Sequence, residues 1–238
     1  MPSWPASCPP PSRGSRAQAP STVADLALAL TLVALRGLVP AAARLRDGDW
    51  TARRGRELGA TTVGIVGFGR IGQALAARLL GFGGRVVVHD PFLTRSPVPG
   101  VAMVDLETLA RTSDVVSLHA PGGQVIADSA WISLLPPDAV IVNTARGDLV
   151  DEAAVCDALR GGHLSAYAAD TLKTEHMGAD ASPLLADDLR DRVTITPHIG
   201  AQTAEAAARM GRMAAEAVLA VHRGDIPAHV VVNPLEDP

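Results

Sequence analysis

Apolar residues recur along this chain in short, dense blocks separated by polar, glycine-bearing turns. Thr62–Val66, Arg85–His89, Val115–His119, Val140–Asn143, Ser165–Ala169 and Val193–Thr196 are runs of four or five residues dominated by Val, Ile and Ala. Such runs, apolar on both sides, predict strands covered on both faces. Between them, Gln73–Leu80, Leu106–Ala110, Ala130–Leu134 and Asp151–Arg160 carry helical spacing. Strands alternating with helices predict an α/β fold, a doubly wound parallel sheet whose ligands sit at the carboxyl ends of its strands. Two further helices flank this unit. Val23–Leu35 is apolar on nearly every side, with Thr22 placed to cap it and Asp25 to support that turn. It reads equally as a core helix or as one packed between subunits. Thr203–His222 carries arginines and glutamates on one face. Residues 1–20, with six prolines and four serines and no periodicity, are expected to be disordered. Four segments result: 1–20; a helix and polar linker over 21–60; the sheet unit over 61–201; and a helix and tail over 202–238.

The turn after the first strand narrows the picture. Val63-Gly-Ile-Val-Gly67-Phe-Gly69-Arg70-Ile71-Gly72 joins a strand to a helix, and Asp90 closes the next strand 18 residues after Gly72. In that context the three glycines have separate tasks: Gly67 for a tight turn, Gly69 for close approach of a pyrophosphate, Gly72 for helix–strand packing. The helix N-terminus then offers free N–H groups to phosphate. Asp90 is positioned to accept from the ribose hydroxyls. The sheet is thus a Rossmann-type dinucleotide site.

Composition adds bounds. Of 238 residues, 47% are hydrophobic but only 3% aromatic, so the core is built from Ala, Val, Leu and Ile. A formal charge of −4 argues against nucleic acid as a partner. Cys8 and Cys156 fit neither a metal-ligand spacing nor a disulfide framework, which points to a reducing, cytoplasmic setting. Arg13, Arg16, the apolar run Leu26–Leu35 and Pro40-Ala-Ala-Ala43 superficially match an export signal. Asp25 at the edge of that run and its late start argue against export. No segment has the ~20 apolar residues needed to cross a bilayer.

Four strand ends bear polar residues suited to a site: Asp90, His119, Asn143-Thr144-Ala145-Arg146-Gly147 and Asp170. Arg146 could hold a carboxylate in a bidentate fork, or pair with Asp148 or Asp151. His198, in Thr196-Pro-His-Ile-Gly200, is a candidate proton carrier or a hydrogen-bonded loop histidine. Glu175 is a candidate partner for it, because a carboxylate beside an imidazolium favours the charged form, or else a solvated loop charge.

Taken together these stretches resemble the D-isomer-specific 2-hydroxyacid dehydrogenases, a family that includes phosphoglycerate, glycerate and formate dehydrogenases. Ser21-Thr-Val-Ala-Asp25, the glycine turn, His119-Ala120-Pro121, Val142–Gly147 with Leu149-Val-Asp-Glu152, Asp170–Glu175 and Thr196–Gly200 carry the likeness, which spans Thr22 to Pro234. The resemblance implies NAD as cofactor and a small 2-hydroxy or 2-oxo acid as substrate. By that resemblance Arg146 binds the substrate carboxylate and His198 exchanges the proton, with Glu175 holding it. Asp170 contacts the nicotinamide carboxamide and Arg70 and Ile71 lie along the pyrophosphate. His119, Ala120, Pro121, Thr144 and Ala145 line the nucleoside pockets, with Gly200 beside them. The resemblance further implies a homodimer, with helix 22–37 at its interface. Asp90 favours NAD by repelling a 2′-phosphate, while Arg95 nearby keeps NADP open. Three departures stand out. The family's separate substrate domain has no counterpart here, which leaves open an inactive NAD-binding module or a truncated gene product. Pro121-Gly-Gly-Gln124 shortens a loop that usually bears threonine. His176 stands where proline is common.

Overall fold

The strands form where their apolar blocks predict. β1 (Thr62–Val66), β2 (Arg85–His89), β4 (Val115–Leu118), β5 (Ala139–Asn143), β6 (Leu164–Ala169) and β7 (Val193–Ile195) match the expected runs within a residue at either end. A two-residue strand, β3 (Ala102–Met103), was not foreseen because two residues at the exposed edge of the sheet are too short to carry a pattern. In the computed structural model, which describes residues 20–178 and 182–224, all seven strands pair parallel in the order β3-β2-β1-β4-β5-β6-β7. The chain reverses direction across the sheet between β1 and β4. A crevice opens at that point beyond the carboxyl ends of the strands. Of residues 1–20, expected to be disordered, 1–19, Cys8 among them, lie outside the described residues, as do residues 179–181 and the tail from 225, whereas Pro20 opens a helix.

Helices cover both faces. α4 (Leu106–Thr112), α5 (Ser129–Ile132) and α6 (Glu152–Arg160) lie over a buried cluster that includes Trp131, Leu149, Leu159 and Tyr167. α1 (Pro20–Arg36) and α3 (Arg70–Gly81) lie over another, with Leu30, Leu35, Ile65, Leu75 and Leu79. α1 packs on α3, β5 and β6. It buries Ala24, Ala27, Leu30, Thr31 and Leu35, while Asp25, Ala29 and Arg36 face outward. It is therefore a one-sided core helix, and each fully buried leucine on it contributes about 2 kcal/mol. The expected Thr22 cap does not form: the helix already begins at Pro20. Thr22 Oγ1 instead accepts from Arg209 Nη2 at 3.3 Å, and Asp25 pairs with Arg78 at 2.6 Å.

Gly37, at φ +57, breaks the chain into α2 (Leu38–Arg46), which continues into part of the stretch read as a polar linker. That stretch is pinned to the body by Arg44 on Asp191 (3.1 Å) and Arg56 on Asp114 (2.6 Å). Among the described residues no single helix is long and apolar enough to cross a membrane. Residues Thr22–Arg36 and Leu38–Arg46 meet the length test only as a pair bent by 59°. The C-terminal helix α7 (Ala204–His222) is capped by Thr203, buries only Ala206 and exposes Val218, Leu219 and Val221.

Candidate active site

Glycine decides the geometry at the end of β1. Gly67 has φ +91, and a Cβ there would stand 2.6 Å from the carbonyl carbon of His119. A Cβ on Gly72 would meet Gly67 O at 2.4 Å, whereas one on Gly69 would meet nothing within 4 Å. The first and third glycines are thus required by packing, and the second leaves open space above the backbone. α3 starts there with no side-chain cap, so its first N–H groups remain available to an anion. Arg70 is exposed and Ile71 half-buried at this end. Asp90 Oδ2 accepts from Phe68 N at 2.8 Å and Oδ1 from Phe92 N at 2.9 Å. It braces the glycine turn with one lone pair on each oxygen and keeps the others for a ligand's hydroxyls. Asp90, Phe92, Ala120 and Pro121 line a small, mostly apolar pocket beside the glycine turn.

His119 follows β4 with its backbone N–H on Val66 O (2.7 Å) and Nε2 on Ser117 Oγ (2.9 Å). Its Nδ1 is enclosed without a partner, and burial lowers the ring's pKa to about 4, so it is neutral at physiological pH. Thr144 Oγ1 and Thr171 Oγ1, just beyond β5 and β6, are also enclosed and unpartnered. Three orphaned polar atoms beyond the ends of adjacent strands are what a polar ligand would satisfy, and with the open cradle at Gly69 they fit a dinucleotide.

Beyond β5, Asn143 staples the turn that carries Arg146. Its Oδ1 accepts from Ala145 N (3.0 Å), and its Nδ2 donates to Arg146 O (2.8 Å). Arg146 is exposed and donates Nη1 to Ala145 O at 2.7 Å. Neither acid that could have claimed it does so: Asp148 accepts from Gly123 N through Oδ2, with Oδ1 enclosed and unpartnered, and Asp151 caps α6 through Ala153 N and Ala154 N. Arg146 forms no ion pair among the described residues, so its guanidinium is available to an incoming carboxylate.

His198 has φ +53, a left-handed conformation that a non-glycine residue adopts at a cost. Asp170, 2% exposed, holds the turn in that shape. Its Oδ1 accepts from Thr196 Oγ1 (2.6 Å) and Ile199 N (2.8 Å), and its Oδ2 from Gly200 N (2.7 Å). Gly200 allows this approach, since a Cβ there would be 2.9 Å from Oδ2. Three of the carboxylate's four lone pairs are used. His198 Nδ1 meets Glu175 Oε2 at 3.2 Å, leaving Nε2 to face outward. The imidazole side chain is 54% exposed and that of Glu175 30%. His176, nearly all in solvent, approaches Glu175 Oε1 at 3.6 Å.

Sequence reasoning therefore named the residues that the fold brings to one edge, but missed what supports them. Asp148 anchors the shortened loop at Gly123, and a Cβ on Gly122 would collide with its Oδ1 at 2.6 Å. The Gly122-Gly123 pair was the available signal of such an approach. Asp170 as a clamp had no signal, because a strand-end acid reads the same whether it faces ligand or backbone.

The family of the D-isomer specific 2-hydroxyacid dehydrogenase, NAD binding domain, matches residues 28–200. The chain is 41% identical over 204 residues to the D-3-phosphoglycerate dehydrogenase of Mycobacterium bovis, covering 83% of this chain and 38% of that protein. It is 39% identical over 200 residues to the hydroxypyruvate reductase of Thermotoga maritima, covering 82% and 64%. Among solved structures it is similar to D-lactate dehydrogenase from Aquifex aeolicus complexed with NAD and lactic acid. That match has TM-score 0.79 and 28% identity, over 92% of this chain and 71% of that one. The chain thus spans less than two thirds of the length of these curated relatives.

Proposed function

Because the chain belongs to the D-isomer-specific 2-hydroxyacid dehydrogenase family and carries its NAD-binding domain, we propose that it interconverts a small D-2-hydroxy acid and its 2-oxo acid with NAD. The observation that carries this reading is the pairing of His198 with Glu175 at 3.2 Å on the sheet edge that bears the dinucleotide cradle. NAD bound there supplies the hydride acceptor or donor. Arg146 holds the substrate carboxylate by a two-point fork that also orients the 2-oxo group. His198 donates a proton from Nε2 to the carbonyl oxygen in reduction and takes it back in oxidation. Glu175 on Nδ1 fixes the tautomer and aims the ring for donation. Asp170 keeps the His198 turn in place and has one lone pair left for a carboxamide N–H. Exposed apolar Leu38, Val39 and Leu45 on α2 support a homodimer, which sedimentation at twice the monomer mass would test. Buried, unpaired Cys156 suits a reducing cytoplasm.

The test is NADH oxidation with glyoxylate, hydroxypyruvate, pyruvate and phosphohydroxypyruvate. Turnover that falls about a hundredfold or more in His198→Ala supports the reading; NADH binding without turnover of any of these opposes it. Replacing Arg146 by Lys should raise KM more than it lowers kcat, because a point charge binds a carboxylate but does not fork it. A second reading, an NAD-binding module without useful catalysis, draws on the exposure of His198 and Glu175, since water at the pair weakens its electrostatics. In that case His198→Ala changes nothing but the imidazole.

A further inference from the structure

Glu152 is a buried acid, 7% exposed, in the first turn of α6, and nothing above gives it a task. An acid near a helix N-terminus ordinarily sits in solvent and complements the dipole. This one is turned inward, where an ionised carboxylate is stable only if its oxygens are well hydrogen-bonded. Both are. Oε1 accepts from Lys173 N at 2.9 Å, and Oε2 from Ser182 Oγ at 2.8 Å.

Those two donors stand on either side of Glu175 in the chain. Within the segment, Glu175 N closes on Leu172 O at 3.4 Å and Met177 N on Thr174 O at 2.8 Å. From outside it, among the described residues, the hydrogen bonds that reach 171–178 are Glu152's to Lys173 and His198's to Glu175. The base of the segment also lies flat on the turn next to Arg146. A Cβ on Gly147 would come within 2.2 Å of both Leu172 C and Lys173 N, so backbone packs directly on backbone. Glu152 therefore draws the start of the segment down onto the Arg146-Gly147 turn, two residues before Glu175 departs toward His198.

We propose that Glu152 is a positioning residue for the proton-handling pair, acting through the Lys173 amide to set how far Glu175 reaches toward His198 Nδ1. The proposal rests on the reading of Glu175 and His198 as that pair. A bond at 3.2 Å is near the outer limit of useful geometry, so a few tenths of an ångström of slack at Lys173 weakens it steeply. A purely structural role would stabilise α6 and the turn at Pro183–Leu185 and leave the imidazole's surroundings unchanged.

The experiment reads the imidazole itself. The His198 ring resonances, assigned by their loss in His198→Asn, are compared by NMR in the 238-residue wild-type chain, Glu175→Gln, Glu152→Ala and Glu152→Gln. Glu175→Gln should displace them. Glu152→Ala should reproduce most of that displacement and add nothing in the Glu175→Gln background. Glu152→Gln, which keeps an acceptor for Lys173 N and can donate to Ser182 Oγ, should restore them. A folded Glu152→Ala protein with wild-type His198 resonances overturns the proposal, as does Glu175→Gln leaving them unmoved. If Glu152→Ala does not fold, Glu152→Asp, one methylene too short to span both donors, takes its place under the same criteria. Where turnover is present, kcat should fall about tenfold or more while KM for NADH stays within about twofold. Absence of turnover would count against the proposed reaction, whereas the ring resonances decide on Glu152 independently.

Discussion

Replacing Asp170 by Asn tests the idea that this carboxylate is first of all a clamp. The side chain keeps its size and loses one acceptor. In the better of its two orientations the amide oxygen still receives Thr196 Oγ1 and Ile199 N, while its NH2 faces the buried Gly200 N–H where Oδ2 had accepted at 2.7 Å. An unpaired buried donor costs roughly 2 kcal/mol. The two surviving bonds change from charge-assisted to neutral, which removes roughly 1 kcal/mol more. For a domain of this size 1 kcal/mol corresponds to about 2–4 °C, so Tm should fall by about 6–12 °C. The loss is localised where His198 is held at φ +53, so its ring resonances should shift and broaden as the turn relaxes. Thermal unfolding followed by circular dichroism gives the first readout, and NMR the second. An Asp170→Asn protein melting within about 2 °C of wild type, with His198 unperturbed and only NADH binding impaired, would refute the clamp. The carboxylate would then serve ligand alone.

Gly67→Ala and Gly69→Ala should separate cleanly. The first faces φ +91 and the His119 backbone at 2.6 Å, and should cost about 3 kcal/mol of stability or more. The second meets nothing within 4 Å, so it should melt like wild type and lose only dinucleotide affinity in a fluorescence titration; equal losses of stability would contradict the cradle. His119, whose pKa burial lowers to about 4, makes the fold acid-sensitive. The unfolded state binds its proton first, so stability declines as pH falls from about 6.5 to about 4, by about 3 kcal/mol at most because part of the residue reaches solvent. His119→Gln should flatten urea-derived stability across that window, and an unchanged slope would show that the ring is solvated. α7, which buries only Ala206, should exchange its amide hydrogens far faster than β1, and equal protection would mean a packing partner covers it.

Much of the sheet was legible because buried parallel strands must be apolar on both faces, and Val86-Val-Val88 or Val140-Ile-Val142 can satisfy little else. The glycine turn was legible for a different reason: Gly67 and Gly72 are the residues a backbone needs when it passes within 3 Å of another. β3 escaped notice because two residues carry no period. α2 was hidden by Pro40 and by its own arginines, of which Arg44 finds its partner Asp191 far along the chain. α1 was visible as a helix, but which side of it would be covered was open until the sheet supplied β5 and β6 beneath Ala24, Ala27 and Leu30.

The site divides along the same line. Neighbouring positions spelled out the dinucleotide turn and its closing acid, because a glycine spacing and a strand end are local features. Arg146, Glu175 and His198 each kept a plain structural alternative on local grounds, and the ordered set of motifs along the chain is what singled them out as candidates. Only the tertiary structure decided their supports. Asp170 beneath the His198 turn, Glu152 beneath the Glu175 segment and Asp148 beneath Gly123 each bond to residues more than 20 positions away. A carboxylate's role depends on which donors the fold brings within 3 Å of it, and the order of residues along the chain does not contain that distance.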